Sequence, residues 1–276
     1  MIKNTILNAV IGYPLEHTLS PKLHNALYKA AGLNAVLLPL EKENLAKLVE
    51  AIRFLSVELT AVTMPFKQDI LAYLDFVDEE AKMIGAVNTV ILKNGKLNGY
   101  NTDIVGIRAA LKGVNLKDKK VLLLGAGGAA LPVAHVIKTA GGRLLVWNRD
   151  SKKAQVLIDN VFGSNSKQAE IVSLDELTAK DVDVIINATP VGMFPNVNES
   201  SLNLSLLAAH QVVFDLVYRP MKTKLLLDAE SKGVKTISGI AMFIAQALEQ
   251  IRLWSGKDLS GLISENELIS LLSDSK

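Results

Sequence analysis

Short continuous apolar runs alternate along the chain with longer stretches whose apolar residues recur at three- and four-residue spacing. That alternation predicts an α/β fold with largely parallel strands. ILNAVIG (6–12) predicts a buried strand. SPKLHNALYKAAG (20–32) predicts a helix, with Ser20 as N-cap, Pro21 at the first helical position and Gly32 as its stop. AVLLPL (35–40) and VELTAVT (57–63) read as strands on either side of a helical NLAKLVEAIRFL (44–55). TVILKNGKLNGYN (89–101) reads as a hairpin turning at Asn94-Gly95.

After a helical DIVGIRAALKG (103–113), a second series begins with KKVLLLG (119–125), a run of the kind buried on both faces of a parallel sheet. GRLLVWN (142–148), DVDVIIN (181–187) and QVVFDLV (211–217) repeat the pattern with helical stretches between them. The long amphipathic GIAMFIAQALEQIRLWSG (239–256) and ENELISLLSD (265–274) follow. A helix of that length after a complete nucleotide-type unit is expected to return to the first domain, giving two domains with a cleft between them.

Composition narrows the chemistry. Of 276 residues, 49% are hydrophobic and 21% charged, enough to bury a core and to exclude intrinsic disorder. Thirty Lys and Arg against 28 Asp and Glu leave a charge of +2 with the basic residues dispersed, so no nucleic-acid footprint is expected. The absence of cysteine removes disulfides, thiolate nucleophiles and cysteine-held metals. The histidines, at 17, 24, 135 and 210, lack metal-ligand spacing, so no metal is expected. MIKNTILNAVIGYP lacks a signal-peptide pattern, and the apolar stretch 121–137 is too interrupted to span a bilayer. A cytoplasmic protein is expected, with no membrane partner, as a monomer or homodimer.

GAGGAA (125–130) sits directly between an apolar strand and a helix, in the G-x-G-x-x-A form of the dinucleotide fingerprint. Gly125 permits the tight turn, Gly127 admits a pyrophosphate to the backbone, and Ala130 allows close packing of helix on strand. The helix N-terminus offers N–H groups and a positive dipole end to phosphate. The next strand ends in Asn148-Arg149, with Lys152 and Lys153 close behind. Cations in that place suit a ribose 2′-phosphate better than a 2′-hydroxyl, although the Asp150 carboxylate opposes one. NADP is therefore favoured over NAD.

Polar clusters close several segments of the first domain: HTLSP (17–21), TMPFK (63–67), VNT (87–89) and NTD (101–103). Each alone is an ordinary turn or cap. Together, at predicted strand ends where α/β sheets bind ligands, they suit a small polyhydroxylated substrate, carboxylated or not. With a nicotinamide cofactor, one Lys and one Asp can serve an alcohol/ketone couple, moving a proton at oxygen while hydride moves at carbon.

The same segments resemble the shikimate dehydrogenase family through nearly the whole chain. GYPLEHTLSPKLHN (12–25), VTMPFK (62–67), GAVNT (85–89), GYNTD (99–103), GAGGAA, NATPVGM (187–193), DLVYRP (215–220) and G-x-x-M-x-x-x-Q (239–246) keep the family's order. The resemblance implies a discontinuous α/β substrate-binding domain (1–103 with 240–276) and a Rossmann NADP-binding domain (104–239). It also implies reversible NADPH-dependent reduction of 3-dehydroshikimate to shikimate, in aromatic amino acid and chorismate biosynthesis. Lys67 and Asp103 would be the catalytic pair. Thr18 and Ser20 would bind the substrate carboxylate, and Thr63, Asn88 and Gln246 its hydroxyls, with Tyr218 near it. Gly125, Ala126, Gly127, Gly128, Ala129, Asn148, Arg149, Lys153 and Thr189 would hold the cofactor, with Gly239 and Met242 near the nicotinamide.

Departures from the family pattern define the alternatives. Thr18 stands where the family has Ser, Ala61 where it has Asn, Asp150 where it has Thr and Lys153 where it has Arg. Thr18 and Asp150 motivate an NAD-preferring quinate/shikimate dehydrogenase. A non-catalytic dinucleotide-binding regulator on the same fold is a further alternative, against which the Lys67–Asp103 pair argues.

Overall fold

The computed structural model describes residues 5–16 and 18–273. His17 of the HTLSP cluster and the first four residues lie outside the described residues. The chain divides into two compact units, residues 1–105 with 244–276, and residues 106–243.

The first unit opens with β1 (Ile6–Gly12), α1 (Ser20–Ala30), β2 (Ala35–Glu41), α2 (Leu45–Phe54) and β3 (Leu59–Val62). It continues through β4 (Phe76–Val77), α3 (Glu79–Ile84), β5 (Thr89–Lys93) and β6 (Lys96–Tyr100) to α4 (Asp103–Ala110), within which the chain passes to the second unit. Its sheet runs β2-β1-β3-β5-β6-β4. The β1, β2 and β3 pairings are parallel, whereas β3–β5 and β5–β6 are antiparallel, so this sheet is mixed. Asn94 and Gly95 both take positive φ, 53° and 74°, the two left-handed residues a tight hairpin needs between β5 and β6.

Helix α2 buries Leu45, Leu48, Val49 and Ile52, the i, i+3, i+4, i+7 face of an amphipathic helix. These side chains pack on Ala9, Ile11, Val62 and Val90 from the sheet. Asn44 caps the helix by accepting from Lys47 N at 3.1 Å. At α1 the cap differs from expectation: Leu19 holds the N-cap position and Ser20 is the first helical residue. Thr18 Oγ1 instead accepts from Ser20 N at 3.3 Å, so the preceding hydroxyl serves the entering backbone.

The second unit contains β7 (Lys120–Leu124), α5 (Ala130–Thr139), β8 (Arg143–Trp147), α6 (Ser151–Phe162), β9 (Ala169–Ile171), β10 (Val184–Asn187), β11 (Val212–Asp215), α7 (Lys224–Ser231) and β12 (Lys235–Ser238). Helix α8 (Gly239–Ser255) begins here and ends in the first unit, followed by α9 (Glu265–Ser273). The sheet order, β12-β11-β10-β7-β8-β9, is all parallel. Read from the other edge it is the 3-2-1-4-5-6 order of a Rossmann domain. Four of the five residues of β7 are buried, as are all four of β10, so helices cover both faces. Among the described residues, no helix is long and apolar enough to cross a membrane.

Candidate active site

The first unit gathers its polar residues where β3 and β6 end and β5 begins. Thr63 N donates to Ile11 O at 2.9 Å and Phe66 N to Thr63 O at 3.0 Å, and the buried Phe66 anchors the turn. Lys67 then accepts from Val87 N through its own carbonyl at 2.7 Å, which leaves its side chain to the polar cluster. Lys67 Nζ lies 2.6 Å from Asp103 Oδ2, with side-chain exposures of 16% and 6%. Asp103 occupies the first turn of α4, where the helix dipole favours a carboxylate. Its other oxygen, Oδ1, accepts from Asn88 Nδ2 at 2.8 Å.

Asn88 is 2% exposed and bonded on both sides of its amide. Oδ1 accepts from Thr102 N at 2.8 Å and from Thr89 Oγ1 at 2.8 Å. Nδ2 also approaches Thr102 Oγ1 at 3.1 Å and Gln246 Oε1 at 3.4 Å. Lys67, Asn88, Asp103 and Gln246 thus form one network, to which Thr102, given no role of its own in the sequence beyond the NTD cluster, also belongs. Thr18 and Ser20 sit together at the start of α1, Thr18 half-buried and Ser20 buried. Thr63 lies in the same turn as Lys67.

In the second unit the expected cofactor residues line the C-terminal ends of the parallel strands. Gly125 follows β7 with φ +105°, and a side chain there would meet Thr189 Cγ2 at 3.0 Å and the Ala188 backbone at 3.2 Å. Gly127 is different: nothing lies within 4 Å of where its Cβ would be. That open space above an ordinary backbone is what a close-lying phosphate requires. Ala126, Gly128 and Ala129 complete the turn; α5 starts at Ala130, whose N donates to Gly127 O at 2.9 Å, and no side chain caps this N-terminus, whose dipole end favours an anion. The residues present fit a dinucleotide.

At the end of β8, Asn148 Nδ2 donates to Asp150 O at 2.8 Å. Asp150 caps α6, Oδ1 accepting from Lys152 N at 3.0 Å, while Arg149, Lys152 and Lys153 are exposed. The carboxylate that opposed a 2′-phosphate in the sequence is therefore engaged at a helix N-terminus. Thr189 donates through Oγ1 to Asn187 Oδ1 at 2.6 Å, and Asn187 Nδ2 to Asp215 Oδ1 at 2.9 Å. Asp215 also accepts from Val217 N at 3.0 Å and Thr223 Oγ1 at 2.6 Å, and burial pushes its carboxyl up to about 6. Asn187 and Asp215 thereby fix the segment bearing Thr189. The signal for both was available: each is the single polar residue ending an otherwise apolar buried strand. Tyr218 stacks on Phe243 at 4.3 Å and 17°, Gly239 opens α8 after β12, and Met242 is buried.

A parallel sheet in Rossmann order with a glycine turn after its first strand, in one chain with a second α/β unit holding a lysine–aspartate pair, defines a two-domain dehydrogenase architecture. Comparison with known proteins gives the particular family. The model of the shikimate dehydrogenase substrate binding domain matches residues 10–90, and that of shikimate / quinate 5-dehydrogenase matches 108–217. The shikimate dehydrogenase (NADP(+)) of Aquifex aeolicus (strain VF5) is 39% identical over 271 residues, 97% of either chain. Shikimate 5-dehydrogenase from Thermus thermophilus, solved in complex with NADP(H) and shikimate, has a TM-score of 0.85 at 34% identity, over 97% of this chain and 98% of that one. Quinate dehydrogenase from Corynebacterium glutamicum, in complex with NAD, has a TM-score of 0.85 at 30% identity, over 98% and 99%. The chain belongs to the shikimate dehydrogenase family.

Proposed function

We propose that this protein is an NADP-dependent oxidoreductase that interconverts 3-dehydroshikimate and shikimate. The observation that carries the reading is the Lys67–Asp103 pair, held within a buried amide and hydroxyl network in a member of this family. Thr18 and Ser20 take the substrate carboxylate through their hydroxyls. Thr63, Asn88 and Gln246 take its hydroxyls, with Tyr218 nearby. The glycine turn from Gly125 to Ala129, with Asn148, Arg149, Lys153 and Thr189, holds the cofactor, and Gly239 and Met242 lie by its nicotinamide. Bound NADPH supplies the hydride for carbonyl reduction.

The protein's part is at oxygen. The Lys67 ammonium polarises the substrate carbonyl and gives a proton to the oxygen as negative charge develops there. Asp103 aims that ammonium and accepts from the substrate hydroxyl. In alcohol oxidation the proton returns to Lys67. Because the recognising groups are polar and buried or half-buried, an analogue lacking one hydroxyl leaves them unpaired and is rejected more strongly than one differing by a methylene.

The second reading, NAD-linked oxidation of quinate or shikimate, rests on Asp150, whose negative charge stays beside Arg149 as the α6 cap. The deciding experiment follows absorbance of the reduced nicotinamide with shikimate or quinate and NADP⁺ or NAD⁺. A rise that needs shikimate and NADP⁺ and disappears in Lys67→Ala supports the proposal. Dominant turnover of quinate with NAD⁺ transfers it to the second reading. No turnover by folded protein with either acid or cofactor leaves a non-catalytic dinucleotide-binding protein.

A further inference from the structure

Two buried polar residues on helices stand behind the catalytic network without belonging to it. His24 of α1 is fully buried, and Gln250 of α8 is 2% exposed. The His24 ring places Nδ1 2.9 Å from the Ser20 carbonyl and Nε2 3.0 Å from Gln250 Oε1. At its other end Gln250 Nε2 donates to Thr89 Oγ1 at 3.0 Å and to the Asn88 carbonyl at 3.2 Å. Thr89 Oγ1 in turn donates to Asn88 Oδ1 at 2.8 Å, and Asn88 Nδ2 donates to Asp103 Oδ1. A continuous hydrogen-bonded chain therefore runs from the start of α1 to the aspartate that meets Lys67.

We propose that Gln250 is a positioning residue for the reaction: anchored by His24, it fixes Thr89 and the Asn88 amide, and through them the carboxylate of Asp103. This rests on the oxidoreductase reading above. Both ends of the chain need explanation on any other view, because a buried carboxamide on an apolar helix face costs desolvation unless each of its atoms is bonded. Here the bonds go to the neighbours of Asp103 and to the helix carrying Ser20. An alkane side chain of the same length would fill the space without that cost.

The direction of the chain matters. By donating to Thr89 Oγ1, Gln250 occupies a lone pair of that hydroxyl and commits its proton to Asn88 Oδ1. Asn88 Oδ1 is then filled by donors, so its NH₂ faces Asp103. Chains of this kind polarise one another in a dry interior. Burial holds the His24 imidazolium well below its usual range, to about 4, so the ring is neutral at working pH, and in the tautomer that serves this chain its proton is on Nε2 and is donated to Gln250 Oε1.

Gln250→Met keeps length and shape and removes all three of its hydrogen bonds. Gln250→Glu keeps an acceptor toward His24 but draws the Thr89 proton away from Asn88. Thr89→Val removes the next link. Each is assayed with shikimate and NADP⁺ alongside the wild type. The expected result is a fall in kcat on the order of 10-fold, with KM for NADP⁺ unchanged. Gln250→Met combined with Thr89→Val is expected to cost no more than the worse single variant, because both cut one chain. A purely structural Gln250 would shift thermal stability with kcat intact, and its effects would add to those of Thr89→Val. Wild-type kcat in Gln250→Met, or in Gln250→Glu should the methionine variant not fold, overturns the proposal. An inactive wild type instead overturns the oxidoreductase reading, and solvent exchange of the buried Asn88 side-chain NH₂, expected to be slow in the wild type, then serves as readout. Loss of that protection in either Gln250 variant of the unliganded protein is expected. Its retention removes the positioning role.

Discussion

The two oxygens of Asp103 are divided between two donors: Oδ2 meets Lys67 Nζ at 2.6 Å and Oδ1 meets Asn88 Nδ2 at 2.8 Å. Only a carboxylate can accept on both sides. Asp103→Asn keeps the shape but turns an NH₂ toward either Lys67 or Asn88, setting donor against donor. The ammonium then loses its aim, and kcat is expected to fall on the order of 10²-fold in steady-state assays. The melting temperature falls as well, since the pair is mostly buried. Asp103→Asn with wild-type kcat would remove the aspartate from the mechanism.

Gly125 and Gly127 lie in one loop and are expected to fail differently. Gly125→Ala forces a left-handed φ on a residue with a Cβ and presses it against Thr189 and Ala188. A loss of about 1–3 kcal/mol, read as a lower urea midpoint, should accompany weaker cofactor binding. Gly127→Ala adds a methyl group to open space on ordinary backbone. Its stability should match the wild type, while the Kd for NADP⁺, measured by calorimetry, rises at least about 10-fold. Unaltered affinity in folded Gly127→Ala would move the phosphate elsewhere.

That contrast shows where the sequence is legible and where it is not. β1 occupies 6–12 as the apolar run predicts, and the hairpin turns at Asn94-Gly95, because continuous burial and turn chemistry are local signals. The family motifs likewise place Lys67, Asn88, Asp103 and Gln246 in one chain order, and the fold makes them one network. β4, of two residues, and β9, of three, carry too few positions for any periodicity. β12 is a half-exposed edge strand whose KTIS reads equally as a turn. The Ser20 cap was misplaced by one residue because Thr18 and Ser20 both carry hydroxyls, and only the backbone path shows which one serves. His24 and Gln250 are 226 residues apart, and nothing in the spacing of either helix announces a partner at that distance.

Acid should act on the two units in opposite senses. His24 titrates at about 4 when folded, against 6.5 for an ordinary histidine. Its folded pKa is lowered, so the stability of the first unit is complete above about pH 6.5 and is lost as pH falls toward 4. Asp215 titrates at about 6 against 3.8. Its folded pKa is raised, so its contribution to the second unit is complete below 3.8 and is lost as pH rises through 6. Each amounts to about 3 kcal/mol. The chain has two tryptophans, Trp147 in the second unit and Trp254 in the first. Urea unfolding of Trp147→Phe, followed by Trp254 fluorescence, should give a midpoint that drops between pH 6.5 and 4. Trp254→Phe, followed by Trp147, should give one that rises over pH 6 to 4. Parallel slopes for the two probes would mean that neither group governs its unit.

Cofactor choice turns on Asp150, where helix capping and charge can be separated. The carboxylate caps α6 by accepting from Lys152 N, and it also places a negative charge next to Arg149. Serine caps a helix about as well as aspartate. Asp150→Ser should therefore leave α6 intact while removing the charge that opposes a 2′-phosphate. Removing one like charge near a partly solvated phosphate is worth on the order of 1 kcal/mol, or roughly 5- to 10-fold in the ratio of kcat/KM for NADP⁺ to that for NAD⁺. Asp150→Ala makes the same change in charge but forfeits the cap, at a cost of about 1 kcal/mol in stability. If both variants raise the ratio alike and only the alanine lowers the melting temperature, charge alone sets the preference. A ratio unmoved by Asp150→Ser would show that the 2′-phosphate is not held between Arg149 and Lys153.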